Sequence, residues 1–160
     1  MSELRDHADR VLSVVESGSA AARSRLAASW RRPWVRHGVD PAAGKGPERL
    51  SALELDRLVH MNDGFVRSAT PRVDSLYALV QQSGFAVLLT DAQGVVLQHR
   101  VSDGDADVFA KWGLWSGVNW SEETEGTNGI GTCLAERRRV TIHREDHFMA
   151  RNTGLSCMDA

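Results

Sequence analysis

Apolar positions along this chain first repeat at helical spacing. Leu4, Ala8, Val11, Leu12 and Val15 share one face, with Asp and Arg on the other, which predicts an amphipathic helix ending at Gly18. A second helix is expected from Ser19 into the Trp30–Trp34 region, since Ala22, Leu26 and Trp30 stand four apart and Pro33 would kink or end it. The Gly/Pro-rich stretch from Gly38 to Pro47 reads as a loop. Ser51, followed three residues on by Glu54, is a capping box, with Leu50 placed to staple onto Leu55. The stripe then runs through Leu55, Leu58, Val59, Phe65, Val66 and Ala69. Thr70-Pro71 restarts or kinks the helix, and Val73, Leu76, Tyr77 and Val80 carry it on to a stop at Gly84.

Periodicity then changes. Phe85 to Arg100 predicts a β-hairpin, with a first strand apolar enough to be covered on both faces and a turn at Asp91-Ala92-Gln93-Gly94. The acidic run Ser102–Asp107 does not fit a calcium loop, because Val108 and Leu114 fall where Gly and Glu are required; a short helix from Asp105 is expected instead. Near the C-terminal end, Arg139 to Arg144 reads as a strand with Val140 and Ile142 inward and Thr141 and His143 on the other face. A turn at Asn152-Thr153-Gly154 leads to another strand from Leu155 to Ala160.

The most informative stretch lies between these strands. Glu125-Gly126-Thr127-Asn128-Gly129-Ile130-Gly131-Thr132 has three glycines in six positions. Each would cost about 1 kcal/mol relative to Ala inside a helix. Downstream, Ile130, Cys133 and Leu134 return to helical spacing, so the run is a tight turn feeding a helix. Its first N–H groups are available either to a ligand or to local caps. Close helix–sheet packing is an equal explanation for the glycines. The spacing is neither a dinucleotide fingerprint nor a P-loop.

Composition narrows the function classes. The chain has 160 residues, 42% hydrophobic and 25% charged, with net charge −2. That suits one soluble cytoplasmic domain and argues against a nucleic-acid or membrane footprint. The basic segment Arg23–Arg36 therefore reads as a solvated helix face with Trp30 docked on a core. Glu122, Glu123 and Glu125 favour the following helix through its dipole. Trp112, Trp115 and Trp120 either line a small-molecule pocket or fill the space between helix and sheet. His143, His147 and Cys157 lack metal-ligand spacing, and Cys133 and Cys157 lie in no Cys-x-x-Cys motif, so satisfied histidines and buried thiols are expected, with no metal and no cofactor.

These residues resemble a family. Gly126-Thr127-Asn128-Gly129-Ile130-Gly131-Thr132-Cys133-Leu134, then Asp146-His147-Phe148, then Leu155-Ser156-Cys157 are similar to the GAF sensor domain of acetoin-catabolism-type bacterial regulators, whose pattern runs approximately GTNAIGTAL … EHF … LTC. Ser29-Trp30-Arg31, Gly38-Val39-Asp40-Pro41 and Leu89-Thr90-Asp91-x-x-Gly94 match in the same order. The resemblance implies an α+β fold: a GAF-like antiparallel sheet with N-terminal helices packed on it and a ligand cavity on one side. In such regulators the domain precedes an AAA+ module that activates sigma-N RNA polymerase and a C-terminal helix-turn-helix, so DNA and RNA polymerase would be met only through modules outside these residues. Gly129 stands where the family often has Ala, which loosens the helix start. The family continues beyond the position of Ala160, so truncated C-terminal strands and a homodimer are expected, with the partner or the N-terminal helices covering the exposed edge.

The division expected is a helical segment at 1–47 and a GAF domain at 48–160. The function expected is non-enzymatic sensing of a small effector. Periodicity places Phe85, Val87, Leu89, Trp115, Trp120, Thr127, Asn128, Thr132, Cys133, His143 and Phe148 around its pocket. Two alternatives stay open: a purely structural dimerisation module, and a thiol-dependent methionine sulfoxide reductase, which needs Cys133 and Cys157 exposed and within bonding reach.

Overall fold

The computed structural model describes residues 2–17, 19, 20 and 22–159. Gly18 and Ala160, expected to end the first helix and the last strand, lie outside the described residues. In chain order the elements are α1 (Ser2–Glu16), α2 (Arg25–Arg32), a π-helical turn (Pro33–His37), α3 (Ala52–Met61), α4 (Asp63–Val80), β1 (Val87–Thr90), β2 (Val96–Arg100), α5 (Ala106–Lys111), α6 (Glu122–Glu125), α7 (Gly129–Glu136), β3 (Thr141–His143) and β4 (Ser156–Met158). Backbone contacts group them into two compact units, one of residues 1–45 with 120–160 and one of residues 46–119.

In the first unit, α1 buries the predicted stripe. Val11 and Val15 pack with Trp30, Phe148 and Met149 into a core. The Trp30 indole N–H donates to the Asp146 carbonyl at 2.8 Å, so this large side chain is buried with its polar atom satisfied. Ser24 caps α2. The α-helix ends at Arg32, as Pro33 predicts, and the chain widens into the π-helical turn, which stops at Gly38, left-handed at φ 65°. Strands β3 and β4 pair antiparallel, Thr141 opposite Met158 and Ile142 opposite Cys157. Ile142 is buried while Thr141 and His143 are exposed, as the alternation requires.

In the second unit, the Ser51–Glu54 capping box forms with both of its bonds. The helix break is at Asn62, nine residues before the expected one. Asn62 leaves helical geometry at φ −101° and ψ 14°, and its side-chain amide donates to the Leu58 carbonyl. Pro71 lies inside α4 without interrupting it. The hydroxyls of Thr70 and Ser75 donate to the carbonyls of Val66 and Pro71, each one turn back along the same helix. Gly84 ends the helical run at φ 72°.

The hairpin β1–β2 is antiparallel, with a bulge between Leu89 and Thr90. Asp91 makes its turn: Oδ1 accepts from the amides of Gln93 and Val95, and Gly94 sits at φ 87°. The first strand is half-buried along its length, so it is not covered on both faces as expected. Single bridges extend the pairing from Val95 to Asn119 and from Val118 to Arg49. The class is α+β with antiparallel pairing, but the strands form two two-stranded ribbons where one sheet was expected.

Candidate functional site

The glycine turn lies in the first unit. Helix α6 ends at Gly126, which takes φ 62°; a Cβ there would lie 2.4 Å from Phe148 Cδ1. Asn128 then caps α7. Its Oδ1 accepts from the Gly131 amide at 2.9 Å, and its Nδ2 donates to the carbonyls of Trp120 and Gly126 at 2.9 and 2.8 Å. Thr132 Oγ1 donates to Glu122 Oε1 at 2.7 Å, and Thr127 Oγ1 donates to Ser29 Oγ at 3.1 Å. The two remaining glycines allow close approach. A Cβ on Gly131 would meet the Glu122 amide nitrogen at 2.5 Å, and one on Gly129 would meet Cys157 Cβ at 2.5 Å. Gly129 therefore makes room for β4 as well as loosening a helix start.

Two buried carboxylates hold this turn in place. Arg32 grips Glu122 with two bonds, Nε to Oε2 at 2.8 Å and Nη2 to Oε1 at 2.7 Å, and reaches Glu136 at 3.0 Å. Glu125 accepts from Arg151 and from Asn152 Nδ2. Burial pushes the Glu125 carboxyl above its ordinary value, against the pull of Asn152 and Arg151. Both acids do more than the dipole role expected of them, and Arg32 is no solvated cation. A buried pair separated by 90 residues leaves no local signal in a sequence.

The seven predicted pocket residues of this unit divide sharply. Trp120, Thr127, Asn128, Thr132 and Phe148 are almost completely buried. Cys133 is half-buried, its thiol pushed up by burial and by Asp159. His143 is exposed, with Nδ1 3.2 Å from Ser156 Oγ. His147, not among the seven, is wholly buried. Its Nδ1 lies 2.9 Å from the Arg144 carbonyl, which must accept, so Nε2 faces Cys157 Sγ at 3.4 Å as the acceptor of the thiol hydrogen. Burial lowers this imidazole's pKa to about 4 and raises the Cys157 thiol. A neutral Cys–His contact of this kind is a poor nucleophile.

The four predicted residues of the second unit lie around the hairpin. Phe85 is 49% exposed, just before β1. The pairs Val87–Arg100 and Leu89–Gln98 share one face of the ribbon. That face meets α4, for Thr70 Oγ1 lies 3.1 Å from Gln98 Oε1 and Arg100 Nε donates to Asp74 Oδ1 at 2.8 Å. Leu88 and His99 are paired on the opposite face. There the His99 ring lies against Trp115, centroids 3.7 Å apart and planes tilted by 36°. Its Nδ1 is 2.8 Å from Ser116 Oγ, and Nε2 has no partner among the described residues. Sequence reasoning missed His99; its only signal was the alternation that sets it opposite Gln98 and Arg100. An open recess of about 610 Å³ also runs beside α3, lined by Arg49, Leu50, Ala52, Leu55, Asp56 and Val59, and none of the eleven predicted residues lines it.

Against known proteins, the family model described as "MimR, N-terminal domain" matches residues 7–160. The chain belongs to this family. Similar proteins include the acetoin catabolism regulatory protein of Cupriavidus necator, 37% identical over 82% of this chain and 20% of that protein. The acetoin dehydrogenase operon transcriptional activator AcoR of Bacillus subtilis is 31% identical over 88% of this chain and 23% of its own. The propane 2-monooxygenase operon transcriptional activator MimR of Mycolicibacterium smegmatis is 31% identical over 86% and 22%. This chain thus spans about a fifth of the length of these curated relatives, which are transcriptional regulators of catabolic genes. In the crystal structure of the E. coli DhaR(N)–DhaL complex, one chain superposes with a TM-score of 0.70 at 13% identity, covering 78% of this chain and 42% of that one. The likeness establishes the GAF-like α+β fold expected from the sequence. Among the described residues, no helix is long and apolar enough to cross a membrane and no group of three or more His, Cys, Asp or Glu side chains is placed to hold a metal ion.

Proposed function

We propose that this member of the MimR N-terminal family is the non-enzymatic, cytoplasmic sensing domain of a longer transcriptional activator, and that a small effector binds on the β1–β2 ribbon beside Trp115. The division into a helical segment at 1–47 and a GAF domain at 48–160 is part of this proposal. The observation that carries it is a contrast in polar chemistry. Around the glycine turn, Thr127, Asn128 and Thr132 spend their side-chain oxygens and nitrogens on protein partners. On the ribbon face away from α4, Trp115 is half-buried and stacked on a histidine with a nitrogen to spare. Of the eleven pocket residues expected from sequence, Trp115 lies on that face against His99, which supports giving it the ligand contact. Val87 and Leu89 lie on the α4 face of the ribbon and Phe85 precedes β1, so these three, with the seven of the first unit, would act as scaffold.

The relatives' names tie them to acetoin catabolism and to a propane 2-monooxygenase operon. Small neutral metabolites are therefore the first compounds to test. Binding shifts output only through different affinities for two states. The test is a thermal-shift screen of this chain against small alcohols, ketones and aromatics. A true ligand at 100-fold over its dissociation constant adds about 2.7 kcal/mol of stability. Flat melting curves across the panel would replace this reading with a purely structural module.

The homodimer belongs to the same proposal. Large apolar side chains on α3 and α4, notably Leu53, Met61, Phe65 and Leu79, are at least half exposed and support it. A monodisperse monomer in light scattering removes it. A reductase function is disfavoured by the raised pKa values of both thiols.

A further inference from the structure

We propose that the exposed face of α2 and its π-helical turn, carrying Arg25, Arg31, Val35 and Arg36, is a docking surface for an acidic protein segment with apolar side chains among its carboxylates. It lies in the first unit and stands whether or not the hairpin senses an effector. From Ser17 to Val39 the chain has five arginines and neither an acid nor a lysine. One of the five, Arg32, is spent inward on Glu122 and Glu136. Arg25 stands seven residues before it and Arg36 four after it, so both flank that ion pair along one line of the helix. Arg31 and Val35, four apart, form the neighbouring line. All four are exposed. Among the described residues, none of the three guanidiniums pairs with a carboxylate. Arg138, exposed past the end of α7 and bonded to Glu136, extends the positive surface. The acids at its borders are Glu123, exposed on α6, and Asp40, whose Oδ1 accepts from the Ala42 amide.

The backbone under this surface is already fixed. The Trp30 indole donates to the Asp146 carbonyl, Arg32 holds two carboxylates, and the Gly38 amide closes the turn on the Trp34 carbonyl at 3.2 Å. Docking therefore has little main chain to order. The free charges are all guanidiniums, whose planar fork meets a carboxylate or a phosphate through two bonds. Val35 separates these two partners. It is 60% exposed between Arg31 and Arg36, where a phosphate backbone offers it nothing and a protein segment offers an apolar side chain. The net charge of −2 also works against a nucleic acid lying across the chain. At a rise of about 1.5 Å per residue, Arg25 to Arg36 spans about 16 Å. About five extended residues of a partner cover that length.

The test is fluorescence anisotropy of a short labelled peptide of alternating glutamate and leucine, titrated with the 160-residue chain. A glutamate-only peptide of equal length and a short DNA duplex are the comparison probes. The alternating peptide should bind about tenfold tighter than either, and Arg31→Glu combined with Arg36→Glu should weaken it by about tenfold or more. Arg31→Gln with Arg36→Gln should act in the same direction without reversing charge. Val35→Ser should remove most of the preference over glutamate alone. Arg57→Glu, exposed on α3, should bind as wild type does. Melting temperatures of the unliganded variants report folding separately. No binding of the alternating peptide, or equal binding by wild type and both double variants, would overturn the surface. Equal affinity for glutamate alone would overturn the apolar component. Tighter binding of the duplex would overturn the protein class in favour of a phosphate backbone.

Discussion

Removing the charge of Glu122 is the sharpest probe of what holds the glycine turn together. Glu122 is 6% exposed and accepts two bonds from Arg32 and one from Thr132. Glu122→Gln keeps the shape, withdraws the anion and points an amide N–H toward groups that already donate. Breaking a buried ion pair by removing one partner costs about 3–5 kcal/mol. Two features reduce that figure here. The Arg32 side chain is 22% exposed, so water reaches it, and it retains Glu136 at 3.0 Å. A loss of about 2–3 kcal/mol follows. For a chain of this length that lowers the melting temperature by roughly 5–10 °C. Circular dichroism melts of wild type and variant make the measurement. Glu145→Gln is the control, because the Arg10–Glu145 pair is 47% and 69% exposed and an exposed pair contributes about 0–1 kcal/mol. If Glu122→Gln melts no lower than Glu145→Gln, the buried pair does not hold the turn.

Gly131→Ala should destabilise by about 2–3 kcal/mol despite the helix propensity of Ala, because its Cβ would meet the Glu122 nitrogen and the Trp120 carbonyl oxygen, backbone atoms that cannot rotate away. Gly64→Ala in α4 is the matched case: nothing lies within 4 Å of its Cβ, so urea midpoints should show a gain of up to about 1 kcal/mol. His147 supplies a pH dependence. Its folded pKa of about 4 lies below the ordinary 6.5, so the unfolded chain binds the proton more readily, and stability present above 6.5 is lost as pH falls toward 4. The full loss is about 3 kcal/mol. Burial lowers His7 in the same sense, while the raised Glu125 carboxyl works the other way, gaining stability as pH falls. Urea midpoints between pH 7 and 4.5 should therefore fall less in His147→Gln than in wild type.

What the sequence made legible were features whose cause is local. The Ser51–Glu54 box, the Asp91 turn, the left-handed Gly84 and the alternation in β3 each depend on residues within four positions of one another, and each formed as expected. Pro71 misled because a proline removes one hydrogen bond from a helix, and the other turns of the 18-residue α4 carry the chain through it. The signal for the break was present in Asn62-Asp63-Gly64, a helix-ending Asn before an Asp-Gly pair, but the apolar stripe running on to Phe65 and Val66 masked it. The buried acids and His99 were illegible for another reason. Arg32 meets Glu122 across 90 residues and His99 meets Ser116 across 17, so their roles are created by tertiary placement.

The residues that made the family recognisable are largely those the fold consumes. Gly126, Gly131, Thr127, Asn128 and Thr132 are buried against each other and against Trp120, Glu122 and Phe148, with their hydrogen bonds turned inward. A side chain committed in this way has no surplus interaction free energy to offer an effector, and altering it to suit a new effector would damage the turn. A residue suited to an effector would instead be one that can change without unfolding the turn. The half-buried ribbon face at Leu88, His99 and Trp115 meets that condition. Substituting His99 should therefore cost little stability, whereas substituting Asn128, which satisfies two carbonyls and an amide, should cost more.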